Sequence, residues 1–160
     1  MVITGWHGGW GRFSAVDPQH LGTGENDALG WGFYLSENRA GGEDFARYAE
    51  LARGGTGYLH KVRAEVPRPC LWWDPWKRPW TAPDGSEVSW EGYDQARRSL
   101  GNEVAAAILR RLGVKAIAAW ETDTSSHGRT YVVLDLAAIR VVESYEWRVV
   151  DGLEGWHRIM

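Results

Sequence analysis

Four short stretches carry residues that could do chemistry together. "WHGG" sets His7 and Gly8 at the end of an apolar opening run, and "GWGFYLSEN" spaces Gly30, Gly32 and Tyr34. "DFARYA" carries Phe45 and Tyr48, and "TYVVLD" runs from Thr130 to Asp135. Glycines let a backbone approach a ligand closely, and rings offer flat faces to a flat partner. Each stretch alone also reads as ordinary structure: a hydrogen-bonded strand-end histidine, a tight turn into a core strand, a tyrosine on a helical apolar stripe. Taken together and in this order, they form a more specific pattern.

Spacing excludes several other chemistries. His7, His20, His60, His127 and His157 are scattered, with no His-x-x-x-His pair and Cys70 as the single cysteine, so no zinc pattern exists. No Gly-x-Gly-x-x-Gly opens a helix, and no Walker-type Gly-Lys-Ser/Thr occurs. A serine nucleophile elbow is missing, and Cys70 lacks a helix N-terminus to lower its pKa.

The elements that must position the four stretches follow from hydrophobic period and breakers. "MVITGWH" predicts a strand stopping at "HGG", and residues 11–29 a loop with Gly22 and Gly24 as flexible points. "GWGFYLS" predicts a short strand. After a Gly41-Gly42 break, "EDFARYAELARGG" predicts a helix with Phe45, Tyr48, Ala49 and Ala52 on one stripe and Gly54 as its cap. "YLHKVRAEV" alternates as a strand. Residues 67–92, with Pro67, Pro69, Pro75, Pro79 and Pro83, predict an insertion without regular elements. "EVAAAILRRLG" predicts a helix with Val104, Ile108 and Leu112 on its stripe. "VKAIAAW", "TYVVLD" and "IRVVESY" predict three more strands, with the polar loop "ETDTSSHGR" after the first; the tail yields no assignment. A helix pair among about six strands implies an α+β fold.

At 160 residues the chain is expected to form a single domain, 1–160, with the Trp/Pro-rich insertion at 67–92. A formal net charge of −3 provides no general pull towards nucleic acid or anionic membrane, and no apolar run approaches a membrane span. With no signal-peptide pattern in "MVITGWHGGW", a cytoplasmic protein is expected. Tryptophan is over-used: eleven residues against three Phe, with Trp72, Trp73, Trp76, Trp80 and Trp90 inside the insertion. That segment reads equally as a lid, as a surface that docks a protein, or as a core plug.

The order of motifs resembles the ADP-ribosyltransferase superfamily, in the branch of the poly-ADP-ribose polymerases and diphtheria-type toxins. The family pattern is His-Gly ending the first strand, a Gly-x-Gly-x-Tyr strand, a helix bearing another Tyr, and late in the chain a Glu directly before Tyr-φ-φ-φ-Asp. His7-Gly8, Gly30-x-Gly32-x-Tyr34, Tyr48 and Thr130–Asp135 occupy these places. The "GTGE…GWGFYL" block looks closer still to small ADP-ribosyltransferase-like domains encoded by bacteriophages and prophages, and the likeness runs from Thr4 to Val142.

The resemblance implies an ADP-ribosyltransferase-like split β-sheet sandwich with a few helices, using NAD as substrate and no metal. By that likeness the Gly8 backbone pairs with the nicotinamide amide and His7 with a ribose hydroxyl. Tyr34 and Tyr48 wall the nicotinamide ring, and Gly30 and Gly32 let the strand run under the dinucleotide. Phe45 stands about where polymerase relatives bind the amide with a serine. Thr130 occupies the place of the catalytic Glu. Losing one preorganised electrostatic contact of this kind costs on the order of 3–4 kcal/mol, which argues against polymer formation. Asp135, at an odd strand offset, faces the wrong way. Glu25 is the first candidate to supply the charge, with Glu121 and Asp123 behind it. The expected activity is mono-ADP-ribosyl transfer to a protein of a bacterial host, as in anti-defence modification. The alternatives are a silent nucleotide-binding module or an NAD glycohydrolase. Nucleic acid is not favoured as a partner.

Overall fold

The computed structural model describes residues 1–9, 11–18, 21, 29–67, 71–73, 79–120 and 127–160, with the side chains of 71–73 and 120 outside the description. Among these the fold is α+β. In chain order the elements are β1 (Val2–Gly9), β2 (Phe33–Ser36), α1 (Arg39–Arg53), β3 (Tyr58–Glu65), β4 (Leu71–Trp73), β5 (Trp80–Thr81), β6 (Glu87–Val88), α2 (Trp90–Leu100), α3 (Asn102–Arg111), β7 (Ala116–Trp120), β8 (Arg129–Val133), β9 (Ile139–Val150) and β10 (Leu153–Arg158). One 3-10 turn, Leu136–Ala138, links β8 to β9. Eight strands form one sheet in the order β10-β9-β3-β1-β2-β8-β7-β4, antiparallel except for β4 against β7; β5 and β6 pair separately. No described helix is long and apolar enough to cross a membrane.

The sheet is nearly divided in its middle. β1 pairs with β3 along its whole length, Val2 opposite Glu65 through Gly9 opposite Tyr58. On its other side it meets β2 at one residue pair, Trp6 opposite Ser36. Two cores occupy the two faces. One gathers Leu29, Trp31, Tyr93, Ala105, Leu109, Val132 and Leu134 beneath α2 and α3. The other gathers Ile3, Val62 and Ala64 from one side of the division with Phe33, Leu35, Tyr131 and Val133 from the other.

Several local expectations change. Helix α1 starts at Arg39 and includes Gly41 and Gly42, because small residues are needed there: a Cβ on Gly41 would lie 2.5 Å from the Ser36 side chain, and one on Gly42 would lie 2.7 Å from Leu59 Cδ1. Its buried residues are therefore Gly41, Gly42 and Ala46, and Tyr48 is exposed. In α3 the buried stripe is Ala105, Ala106 and Leu109, while Val104 points to solvent; alanines let this helix sit close over the sheet. The stretch 67–92 is not devoid of elements. Pro79 and Pro83 stand outside the β5–β6 residue pairs, so neither removes a ladder N–H, and Ser89 caps α2 by accepting from Gly92 N at 3.0 Å. Trp80 and Trp90 pack against the first core, as a plug would. The tail forms β9 and β10, joined at Asp151-Gly152.

Candidate functional site at the division of the sheet

Beyond Trp6 the β1–β2 ladder stops, and a side chain takes its place. His7 Nδ1 lies 2.9 Å from the Tyr34 carbonyl oxygen. A carbonyl only accepts, so Nδ1 carries the hydrogen and Nε2 of the neutral ring is the lone-pair nitrogen. The ring stacks on Phe33 at 4.4 Å and 25° and meets the edge of Phe13 at 5.6 Å. Burial lowers the His7 pKa to about 4; the Tyr34 bond opposes this and neighbouring His60 adds to it. His60, opposite His7 on β3, donates through Nε2 to Gly11 O at 3.2 Å and accepts the Ser144 hydroxyl at Nδ1, 2.8 Å away. Its pKa is also lowered by burial, partly opposed by the Gly11 bond. Two neutral histidines thus stand side by side behind the division.

Gly8 has a packing reason to lack a side chain: an added Cβ would meet Gly42 O at 1.8 Å and Ala46 N at 2.5 Å. Helix α1 thereby presses directly on the end of β1. Tyr34 turns its ring towards the first core, and its hydroxyl donates to Gly30 O at 2.7 Å while accepting from Leu29 N at 3.1 Å. Gly30 adopts φ +96, and a Cβ there would strike the Tyr93 hydroxyl at 2.3 Å; a Cβ on Gly32 would strike Val132 at 2.4 Å. Both glycines therefore serve close packing against α2 and β8, whatever else passes near them.

Thr130 lies opposite Ser36 on β8 and is 4% exposed. Phe45 lies on α1 with its ring 5.9 Å from that of His127. Tyr48 is 52% exposed and stands six residues beyond Gly42, which is about 9 Å along the helix axis. The backbones of His7, Gly8, Tyr34, Phe45 and Thr130 thus lie around one junction of β1, β2, α1 and β8, but the His7 ring packs with Phe33 and Phe13 on the second core while the Tyr34 ring faces the first, and Tyr48 sits further out along α1. Glu25, Glu121 and Asp123 lie outside the described residues, as do Gly22, Gly24, His20, Cys70 and Trp76. Asp135 lies two residues past the end of β8 rather than in the strand, and its carboxylate is 4.0 Å from Lys115 Nζ.

Three polar residues near this junction were not singled out from sequence. His127 is buried, and its Nε2 bonds Asp44 Oδ2 at 2.6 Å; Glu37 Oε2 accepts from Arg129 N at 2.8 Å. Glu37 and Asp44 thus bring two carboxylates to the start of β8. Neither had a sequence signal beyond being acids near the helix start, because their partners are some ninety residues away and only the fold joins them. Among the described residues no group of His, Cys, Asp and Glu could hold a metal ion. No family model, curated protein or solved structure matches this chain.

Proposed function

We propose that the chain binds NAD at the division between β1 and β2 and transfers a single ADP-ribose unit from it, within an ADP-ribosyltransferase-like split β-sheet sandwich. One observation carries the reading: His7, Gly8, Tyr34 and Thr130 of the family pattern lie on the strands that flank the place where the two halves of the sheet share one residue pair, with Tyr48 further out on α1. Backbone groups of β1 past Trp6 lie outside the β2 ladder there, which suits an amide ligand such as nicotinamide. Tyr34, anchored through its hydroxyl, and Tyr48, on the exposed side of α1, supply the rings; His7 supplies a ribose contact. In the reaction the nicotinamide C–N glycosidic bond breaks and its electron pair leaves with nicotinamide. The acceptor nucleophile bonds to the ribose carbon and gives up its proton. Thr130 offers a hydroxyl to the nicotinamide ribose, and Glu37 or Asp44 is a source of negative charge besides Glu25. By the same resemblance the acceptor is a component of a bacterial host cell, and the reaction runs in its cytoplasm.

A second reading, a silent nucleotide-binding module, is favoured by one feature: Thr130 is uncharged where the family places its acid. Incubation with labelled NAD and cell lysate separates the two. Label on a macromolecule and free nicotinamide, both lost in Tyr34→Ala with the fold retained by circular dichroism, are expected. Binding without nicotinamide release selects the silent module, and release without labelling selects hydrolysis. Transfer that survives Tyr34→Ala, or no calorimetric binding of NAD at all, overturns the site.

A further inference from the structure

One outer edge of the eight-stranded sheet is β10, which among the described residues pairs with β9 on one side only. A bare edge invites strand addition, and proteins usually blunt it with proline, bulges or charge. Here Leu153–Arg158 pairs with β9 in unbroken register and contains no proline, so charge is the only device left.

Which backbone groups face outward follows from the turn. Asp151 and Gly152 have φ 51 and φ 77, a two-residue hairpin turn with both central residues left-handed. Such a turn makes Val150 and Leu153 a hydrogen-bonded pair, so odd-numbered residues of β10 bond inward. The bond from Ile159 N to Ser144 O, 2.8 Å, keeps the same phase. Glu154, Trp156 and Arg158 therefore turn their N–H and C=O groups to the open side.

The side chains around this edge are self-complementary. Reading outward from Trp156, Gly155 mirrors His157, Glu154 mirrors Arg158, and Leu153 mirrors Ile159. Glu154 and Arg158 are both exposed, as is Leu153 at 75%. Arg158 donates through its Nε to Met160 O, and its charge also acts on Glu143 of β9. We propose that β10 pairs antiparallel with β10 of a second copy of this chain, with Trp156 of one copy opposite Trp156 of the other. In that register only the outward-facing residues form the hydrogen-bonded pairs. Glu154 stands opposite Arg158 of the second copy twice, and each Leu153 meets an Ile159. Shifting by two residues destroys both charge pairs, so the same charges that repel foreign strands admit this one alignment. The two sheets then run on as one. A strand-length contact is at the small end of specific interfaces, so dissociation in the micromolar range is expected.

Sedimentation velocity across micromolar concentrations tests this with charge exchange. The unmodified chain should show a reversible dimer. Glu154→Arg alone and Arg158→Glu alone each place like charges opposite one another and should weaken it about thirty-fold. Glu154→Arg/Arg158→Glu restores both pairs and should dimerise like the parent. An equimolar mixture of the two single variants should form the mixed dimer, since each copy then offers what the other lacks. A monomer at every concentration overturns the proposal. So does a dimer indifferent to the single reversals, or loss in the single variants without recovery in the exchange or the mixture. Both positions are exposed and distant from the proposed nucleotide site, so failure of either proposal leaves the other standing.

Discussion

At the scale of single residues, His7 is the most consequential side chain in the described structure. It replaces backbone pairing where β1 and β2 part, and it does so as a neutral ring. Its pKa, about 4 in the folded chain, lies below the 6.5 of an unfolded histidine, so the unfolded chain takes up the proton first. Stability from this group is complete above about pH 6.5 and is lost as pH falls towards 4. The gap corresponds to roughly 3 kcal/mol at most. His60 acts in the same direction, with Arg12 adding a like charge beside it. His7→Asn keeps a donor for Tyr34 O and removes the titration. Urea midpoints measured between pH 7.5 and 4.5 should fall steeply in the parent and less steeply in His7→Asn. Equal slopes would assign the pH dependence to other groups.

At the scale of elements, two of the helical glycines, Gly42 and Gly92, make opposite predictions from the same arithmetic. Replacing a helical Gly by Ala gains up to about 1 kcal/mol in propensity. At Gly42 an added Cβ would lie 2.7 Å from Leu59 Cδ1 and 2.8 Å from Trp6 Cβ, and such overpacking costs about 1–3 kcal/mol, so packing wins and Gly42→Ala destabilises. At exposed Gly92 the one neighbour is the Ser89 hydroxyl at 3.1 Å, so propensity wins and Gly92→Ala stabilises by about 0.5 kcal/mol. Thermal midpoints moving in the same direction would contradict this. The glycines also show what was legible in sequence. The β1, β2 and β8 strands, the alternation of β3 and the Gly54 helix end follow from local period and breakers. The start of α1 does not, because Gly41-Gly42 reads locally as a break and only the closeness of Ser36 and Leu59 makes it helix interior. The β9–β10 hairpin was not read from sequence: Asp151-Gly152 is a hairpin turn pair, but the mixed charge around it hid the signal. Within the candidate site, His7, Gly8, Tyr34 and Thr130 carried a pattern; Asp44 with His127, and Glu37 with Arg129, are tertiary pairings with no local trace.

At the scale of the whole molecule, the question is whether a sheet joined at one residue pair behaves as one body. Backbone pairing alone would let β10-β9-β3-β1 and β2-β8-β7-β4 separate. Two things oppose that. Helix α1 packs on β1 and β3 and also reaches β2, and the second core runs beneath the division, with Ile3, Val62 and Ala64 against Phe33, Leu35 and Val133. Strand β8 then ties this core to the first, because Val132 points into one and Val133 into the other. Every apolar cluster therefore shares a strand with its neighbour, and a single cooperative unfolding transition is expected. Val132→Ala and Val133→Ala, both at fully buried sites, should each cost about 2 kcal/mol. Each should shift the whole transition, with tryptophan fluorescence and far-ultraviolet circular dichroism moving together. A variant that splits the curve, so that one probe shifts and the other stays, would mean the halves unfold separately. The proposed nucleotide slot would then lie between two loosely coupled bodies rather than in a preorganised cleft, and ligand binding would have to supply the coupling that the core does not.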